Sequence, residues 1–318
     1  MEPMPGQSDT RLVRAPRGTE YHGPVVVASM NLAGRTIKLV RPADPDQLLD
    51  DPKVVDWNRH DDYMPYWAYV WPAAYLLAET VGREPWPAML VGSHATEALE
   101  IGCGLGLAGL AAVERGLRVQ FTDYDPAPLD FVVRSAAENG FDPTRFSTRQ
   151  LDWRNLPDEQ HSIILGADVI YEARLVPVVA GLLACMLAPW GIGLIASPYR
   201  VAARGFPAAL AERGLVCQAE ATTARTEDGQ LIKGTIYRVT RSALASAAIG
   251  PERADQRANV DYSGLIEPTG QISEYAFRYG RIVERGRADL DGRGAGDQEL
   301  EGVVGRGNPA DTDQGQSW

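Results

Sequence analysis

The sequence is poor in the residues that form metal sites and disulfides. Its 318 residues include three cysteines and four histidines. The cysteines show no C-x-x-C spacing of the kind typical of zinc sites, and the histidines show no ligand spacing. We therefore expect neither a metal site nor a disulfide framework. The low cysteine content also favours the reducing cytoplasm.

The chain lacks an excess of basic residues and any long hydrophobic run. Its 31 Lys and Arg residues are outnumbered by 42 Asp and Glu residues, which gives a net charge of −11 and argues against a broad nucleic-acid-binding face. No apolar stretch reaches the length of a membrane span, and the first residues contain no apolar core of a signal peptide. We predict a cytoplasmic protein without nucleic-acid or membrane partners, whose oligomeric state is unknown from the sequence.

Glycines are concentrated in residues 96–109, which read T-E-A-L-E-I-G-C-G-L-G-L-A-G. This pattern predicts a strand, a tight turn and the start of a helix, an arrangement that lets the backbone approach a ligand closely. Two cofactors are compatible with it. Gly104, Gly106 and Gly109 satisfy the dinucleotide pattern G-x-G-x-x-G, and Asp123 follows at the distance that this fingerprint requires.

The same stretch also fits a second pattern. Glu100, Gly102, Gly104 and Gly106 give E-x-G-x-G-x-G, which resembles the first motif of class I S-adenosylmethionine (SAM) methyltransferases. A charged acid at the end of a buried strand is costly unless a ligand or partner uses it. In the SAM family this acid organises the methionine end of the site, whereas a nicotinamide dinucleotide (NAD) gives it no role.

Strand and helix patterns alternate after the glycines. Apolar strands are predicted near 97–101, 118–122, 146–151, 162–167 and 191–196, and two final strands near 215–221 and 232–240 are joined directly by a turn. The alternation predicts an α/β fold with a mostly parallel sheet and helices on both faces. A seven-stranded Rossmann-like sheet that ends in an antiparallel β-hairpin resembles the class I methyltransferase core.

Composition divides the chain into four regions. Residues 1–22 are polar and rich in Pro and Gly, and are expected to be flexible. Residues 23–95 contain a predicted hairpin followed by an aromatic lid and helix, and residues 96–240 form the predicted SAM-binding core. Residues 241–318 are expected to be mostly disordered, because they are rich in small and charged residues.

Aromatic residues are unusually dense just before the glycines. Five occur in the thirteen-residue run D-Y-M-P-Y-W-A-Y-V-W-P-A-A at 62–74. Such rings either cover a core or form the wall of an active site. Pro72 suits the first turn of a helix that we predict to extend to about Val81.

Acidic residues follow the predicted strands at the edge of the sheet where ligands bind. We assign Asp123 to the ribose hydroxyls of a cofactor and Asp125 to capping the next helix. Asp152 and Trp153 follow the third core strand and are candidates for contacts with the adenine amino group and ring. The alternative is a surface acid beside a tryptophan packed under a loop.

Asp168 and Tyr171 follow the fourth core strand in the run G-A-D-V-I-Y. If the acceptor is an amine, it must lose a proton before methylation, since free lysine has a pKa of about 10.4. Asp168 is expected to attract and orient the ammonium form, and Tyr171 to orient the amine. The alternative is that Asp168 caps a helix and Tyr171 only packs. Arg200 is assigned to the rim of the pocket or to a helix start.

Five motifs in order carry a family resemblance: P-Y-W-A-Y-V-W-P, A-L-E-I-G-C-G-L-G, T-D, L-D-W and G-A-D-V-I-Y, at 65–72, 98–106, 122–123, 151–153 and 166–171. Together they resemble the seven-β-strand protein-lysine methyltransferases of the methyltransferase-16 group. The Trp-Pro pair is most similar to the branch that methylates the electron-transfer-flavoprotein β-subunit. The resemblance covers roughly residues 24–240.

The resemblance implies SAM as the cofactor and a protein lysine as the methyl acceptor. It further implies an acceptor site shaped by Asp168 and Tyr171. The residues that it places against the cofactor are Trp71, Gly102, Gly104, Asp123, Trp153 and Ala167.

Other functions stay open on the sequence. A small-molecule methyltransferase, or a ribosomal-protein methyltransferase of the L11 type, would use the same cofactor. An NAD-binding oxidoreductase would use the glycines differently. A non-catalytic adaptor with the SAM fold would have no need of the D-x-x-Y motif formed by Asp168 and Tyr171.

Overall fold

The structure is a computed structural model that describes residues 20–61, 63–86 and 97–241. Most of the predicted flexible segment 1–22 and of the predicted tail 241–318 lies outside the described residues.

The described chain opens with an antiparallel hairpin of β1 (Val25–Leu32) and β2 (Arg35–Pro42). Its turn is formed by Ala33 and Gly34, which have left-handed φ values of 50° and 76°, as two-residue hairpin turns require. The β2 edge is bonded to the core by Asn139, whose side chain accepts from the Lys38 N–H at 2.8 Å and donates to the Lys38 carbonyl at 2.6 Å. The predicted hairpin is therefore present and docked.

Four helical segments lead from the hairpin to the sheet. A 3-10 turn at 45–50 and helix α1 (Pro52–Asp61) precede the aromatic run, which forms a second 3-10 turn at Tyr66–Ala68. Helix α2 (Pro72–Arg83) follows and begins at the proline, as predicted, because the fixed φ of proline suits the first helical position.

The central sheet contains seven strands. They are β3 (Glu97–Glu100), β4 (Arg118–Asp123), β5 (Phe146–Gln150), β6 (His161–Ala167), β7 (Leu187–Ser197), β8 (Leu215–Arg225) and β9 (Leu231–Arg241). Their order is β5-β4-β3-β6-β7-β9-β8. Strands β3 to β7 pair in parallel, whereas β9 is antiparallel to both β7 and β8. The predicted sheet and its C-terminal hairpin are confirmed.

Helices cover both faces of this sheet: α3 (Leu107–Glu114), α4 (Ala127–Glu138), α5 (Leu175–Met186) and α6 (Phe206–Ala211). Alternate strand residues enter different apolar clusters, because successive side chains point to opposite faces. In β6, Ile163 and Leu165 pack in the cluster that contains α2, α3 and α4, whereas Ile164 packs with α5 and α6.

Strand β7 begins four residues earlier than its predicted start at 191. Leu187 already pairs with His161, and a register irregularity separates this pair from the main ladder. Within the described ranges, no helix is long and apolar enough to cross a membrane, and no group of three or more His, Cys, Asp or Glu residues is arranged to hold a metal ion.

We expect Gly109→Ala to destabilise the fold. A β carbon at this position in α3 would lie 2.3 Å from both Glu100 Oε2 and Phe121 Cε1. Relief of that overlap should lower the free energy of unfolding by about 1–3 kcal/mol, measured by urea denaturation.

Gly181→Ala in α5 is the matched control, since the nearest atom to its β carbon would be Arg213 Nε at 3.7 Å. There the higher helix propensity of alanine should dominate, with a stabilisation of up to about 1 kcal/mol. Equal effects of the two substitutions would refute the close packing of α3 on β4.

Candidate functional site

A cavity of about 610 Å³ opens at the carboxyl edge of the parallel strands, a size typical of small-molecule sites. Its walls are the turns that follow β3 to β7 and the aromatic segment 63–71, which we call the strap. Adjacent parallel strands end at the same edge, so residues distant in sequence meet there. The cavity is lined by ten of the eleven predicted site residues: Trp71, Gly102, Gly104, Gly106, Asp123, Asp152, Trp153, Ala167, Asp168 and Tyr171.

The glycine turn after β3 keeps part of this cavity open. Gly102, Gly104 and Gly106 have φ values of 55°, 50° and 75°, a region that glycine enters without steric cost. A β carbon at Gly104 would lie 3.5 Å from the Trp67 carbonyl oxygen in the strap, and one at Gly102 would lie 3.2 Å from the ring of Trp153. Side chains at these positions would therefore fill the space between the turn and its neighbours.

Glu100 is the predicted site residue that does not line the cavity. It is 1% exposed, and its Oε2 accepts a hydrogen bond from the Gly109 N–H at 3.1 Å. Burial raises the pKa of Glu100 to about 8, although this hydrogen bond opposes the shift. The structure thus corrects the expectation that Glu100 faces the ligand. The first N–H groups of a helix lack intrahelical partners, and Glu100 satisfies one of them in α3.

Asp123 joins the glycine turn to the end of β4. Its Oδ2 accepts from the Gly104 N–H at 2.8 Å, and its Oδ1 accepts from the Asp125 N–H at 3.1 Å. Burial outweighs these bonds and raises the pKa of Asp123 to about 6. Each carboxylate oxygen retains a second lone pair, so this acid can also accept from the hydroxyls of a ligand.

Asp125 bonds to the first residue of α4, although the N-cap position of this helix is Pro126 and not the predicted Asp125. One carboxylate oxygen accepts from the Ala127 N–H at 2.8 Å, and the other accepts from the hydroxyl of Tyr63 in the strap. Sequence reasoning did not assign Tyr63 a role beyond its place in the aromatic run. Its bond to Asp125 attaches the strap to the β4 end of the cavity.

Asp152 is paired with Arg154. The carboxylate accepts from the Arg154 Nε at 2.9 and 3.0 Å and from its backbone N–H at 2.9 Å. These bonds lower the pKa of Asp152. Arg154 also donates to the Tyr124 hydroxyl at 3.1 Å. Asp152, which we predict to accept from the adenine amino group, is therefore part of an ion pair at the cavity wall. The arginine two residues further along the sequence could have indicated this pair.

Asp168 is held by Arg200, which lies in the turn after the neighbouring strand β7. It has a φ of 56°, unusual for a residue with a side chain, and is 7% exposed. Its two oxygens accept from Arg200 in a bidentate pair, with Oδ1 3.0 Å from Nε and Oδ2 2.5 Å from Nη2. The structure thus corrects the expectation of an Asp168 free to hold an ammonium ion. The helix-cap alternative is also absent, since α5 has no side-chain cap.

The Asp168–Arg200 pair forms because β6 and β7 are adjacent and parallel. The turns that follow the two strands therefore meet, although the residues are 32 positions apart. The sequence indicated this pair only through one basic residue, Arg200, which lies shortly after β7, the strand that neighbours β6. Of the two roles proposed for Arg200, the structure supports the position at the cavity.

Aromatic rings of the strap face the same end of the cavity. The Tyr66 ring meets Tyr171 edge to face at a centroid distance of 5.7 Å and Trp71 at 6.1 Å. The guanidinium carbon of Arg200 lies 6.0 Å from the Trp71 ring, within cation–π range. Burial raises the pKa of Tyr171 well above its usual value, so its hydroxyl is neutral at physiological pH. The predicted aromatic lid thus forms a wall of the cavity.

The chain was compared with known protein families. Residues 65–202 match the family model described as lysine methyltransferase. The predicted family resemblance is confirmed. The matched residues, somewhat less than half of the chain, contain the strap from Pro65 onward and every turn that lines the cavity. The similarity to the electron-transfer-flavoprotein branch stays a prediction.

A curated relative is protein N-lysine methyltransferase METTL21A from Xenopus tropicalis, 33% identical over 116 residues. The alignment spans 35% of this chain and about half the length of that relative.

Solved structures with related folds include two methyltransferases. One is the 16S rRNA N2 G1207 methyltransferase RsmC of T. thermophilus in complex with AdoMet and guanosine, with 17% identity, a TM-score of 0.46, and coverage of 68% of this chain and 51% of that one. The other is the ribosomal protein L11 methylase of Lactobacillus delbrueckii subsp. bulgaricus, with 18% identity, a TM-score of 0.37, and coverage of 50% and 75%. The fold assignment rests on the strand order described above.

The raised pKa of Glu100 predicts a pH-dependent stability. A carboxyl group whose pKa is higher in the folded state favours folding below its unfolded value of 4.5, and this stabilisation is lost as the pH rises toward 8. Glu100→Gln removes the titration and keeps an acceptor for the Gly109 N–H. Between pH 5 and 8, the free energy of unfolding should fall more steeply in the wild type, by up to about 1.4 kcal/mol per pH unit.

Urea denaturation at each pH measures the two slopes. Glu138→Gln, which changes an exposed glutamate in α4, should retain the slope of the wild type. If Glu100→Gln also retained it, Glu100 would not be the titrating group.

Proposed function

We propose that this protein is a SAM-dependent methyltransferase that transfers a methyl group to a lysine side chain of a protein substrate. The observation that carries the proposal is the coincidence of the lysine methyltransferase match at 65–202 with a single cavity at the carboxyl edge of the sheet. That cavity brings together the glycine turn, the acid after β4 and the D-x-x-Y turn after β6.

The residues on the β3 to β5 side of the cavity fit a SAM molecule. Gly102 and Gly104 leave a space that β carbons would fill, and Asp123 presents a half-buried carboxylate for ribose hydroxyls. Trp153 supplies an aromatic surface for the adenine, and the Asp152–Arg154 pair lies beside it. Ala167 and Trp71 complete the wall toward the acceptor. When bound, SAM supplies a methyl group that is already electrophilic because its sulfur is positively charged.

The protein must then align the methyl group with the acceptor and exclude water from the site. These two effects account for much of the rate enhancement in such transfers. Tyr66, Trp71 and Tyr171 form the walls that exclude water from the acceptor end. The hydroxyl of Tyr171 is neutral and can accept a hydrogen bond from an amine N–H. Asp168, fixed by its pair with Arg200, sets the position of the turn that carries Tyr171.

Alternative activities differ in their acceptor or cofactor. A small molecule or a ribosomal protein of the L11 type would use the same SAM-binding residues, and the family match favours lysine over these. An NAD-binding oxidoreductase is disfavoured by the match to the lysine methyltransferase family model. A non-catalytic adaptor would not need the closed aromatic wall around Tyr171.

Labelling identifies the acceptor. The purified full chain is incubated with methyl-tritiated SAM and a cell lysate, and the labelled proteins are hydrolysed in acid. We expect more tritium in methyl-lysine than in a matched sample without the added enzyme, which measures the labelling by the lysate itself. Label confined to small molecules, or to other amino acids, would overturn lysine as the acceptor.

Asp123→Asn should weaken SAM binding about 10- to 100-fold, because a neutral amide is a poorer acceptor for hydroxyls than a carboxylate, a difference of about 1.5–3 kcal/mol. Calorimetric titration measures the dissociation constant. Asp158→Asn, at an exposed position outside the cavity wall, should leave it unchanged. Tight binding of NAD with no binding of SAM would refute the proposed cofactor.

A further inference from the structure

Charge at the acceptor end of the cavity is governed by one ion pair. Asp168 is 7% exposed, and both of its oxygens are bonded to Arg200. Bidentate arginine–carboxylate pairs are strong and geometrically specific. Removing one partner leaves the other as an uncompensated buried charge. In the intact pair, the negative charge of Asp168 is already neutralised before any substrate arrives.

Among the residues that the structure describes, the other titratable groups around this end provide no spare negative charge. Tyr66 and Tyr69 come from the strap, Tyr171 and the ion pair Glu172–Arg174 from the turn after β6, and Tyr199 from the turn after β7. Asp123, Asp125, Cys103 and the Asp152–Arg154 pair line the cavity toward β4 and β5. Glu172 is thus the other carboxylate near Tyr171, and Arg174 is its partner.

We propose that Arg200 is a positioning residue that neutralises Asp168 and thereby makes the acceptor end of the cavity selective for the uncharged form of a primary amine. This inference rests on the proposed function, and it names the protonation state in which that site takes its substrate. An ammonium ion at Asp168 would have to displace Arg200 or remain beside it, and like charges in a poorly solvated site repel strongly. An uncharged amine meets no such penalty.

The walls also suit an uncharged alkyl amine. Tyr66 and Trp71 from the strap, and Leu175 and Val178 from α5, present apolar surface to the cavity. The neutral hydroxyl of Tyr171 provides a polar contact among them. Arg200 itself is fixed from two sides, by Asp168 and by the face of the Trp71 ring at 6.0 Å. The pair therefore occupies the position that an ammonium ion would otherwise take.

The test measures binding of n-butylamine, a mimic of the lysine side chain, to the full chain by NMR titration from pH 7 to 9. S-adenosylhomocysteine is present throughout, because its uncharged sulfur leaves the protein as the source of any repulsion. The uncharged fraction of a primary amine rises tenfold per pH unit below its pKa of about 10. The wild-type affinity should therefore rise about tenfold per pH unit. A flat wild-type profile, or no binding at any pH, would overturn the proposal.

Variants separate positioning from a structural role. Arg200→Gln frees the Asp168 carboxylate, so butylammonium binding at pH 7 should strengthen about tenfold and become nearly independent of pH. Arg200→Lys keeps a positive charge beside Asp168 and should retain the rise with pH. The double variant Asp168→Asn with Arg200→Gln lacks both charges and should also retain it. Binding of S-adenosylhomocysteine reports that each variant is folded.

The two proposals fail in different ways. If the wild type labels methyl-lysine but Arg200→Gln keeps the wild-type pH profile for butylamine, the role of Arg200 is wrong and the proposed function stands. If no methyl-lysine is labelled, the proposed function fails on its own experiment, whatever the amine profile.

Discussion

The geometry of the cavity depends on the hydrogen bond that the Gly104 N–H donates to Asp123. It fixes the glycine turn after β3 against the end of β4, and the same carboxylate accepts from the N–H of Asp125. Asp125 in turn accepts from Tyr63 and from the Ala127 N–H at the start of α4. Three segments that are separate in sequence are therefore positioned by a short chain of bonds to two acids. Burial raises the pKa of Asp123 to about 6, and a hydrogen bond to a ligand is stronger where the surroundings are less polar than water.

Charge pairing is the second constraint on the site. Asp152 and Asp168 both face the cavity, and each is bonded to an arginine, Arg154 and Arg200 respectively. Asp123 and Asp125 lie at the β4 end and accept hydrogen bonds from backbone N–H groups. Carboxylate acceptors are thus found where ribose hydroxyls are expected, while the carboxylate near Tyr171 is held in an ion pair. This difference between the two ends follows from side-chain pairing that the order of acids in the sequence does not reveal.

The sequence predicts the backbone of this site better than its side-chain partnerships. The alternation of strands and helices, the closing hairpin and the proline start of α2 follow from hydrophobic periodicity and from local residue preferences, which act over a few positions. Glu100 is an example of a partnership that the sequence does not reveal. The buried carboxyl group was correctly expected to need a partner, but that partner is the Gly109 N–H in helix α3. Asp168 and Arg200 meet because β6 and β7 are neighbours, and their pairing depends on tertiary register instead of local pattern.

The strap links the two ends of the cavity. Tyr63 is bonded to Asp125 at the β4 end, Trp67 lies over Gly104, and Tyr66 meets Tyr171 at the acceptor end. A segment fixed at both ends sets the width of the opening between itself and the turn after β6. Under the proposed function, an acceptor side chain passes through that opening, and the strap then constrains which substrates reach the site. Trp71 belongs both to the strap and to the predicted cofactor-binding residues, and Trp67 lies against Gly104. A change in the rings of the strap would therefore affect both ends of the cavity, so the proposed acceptor and cofactor sites are coupled within this fold.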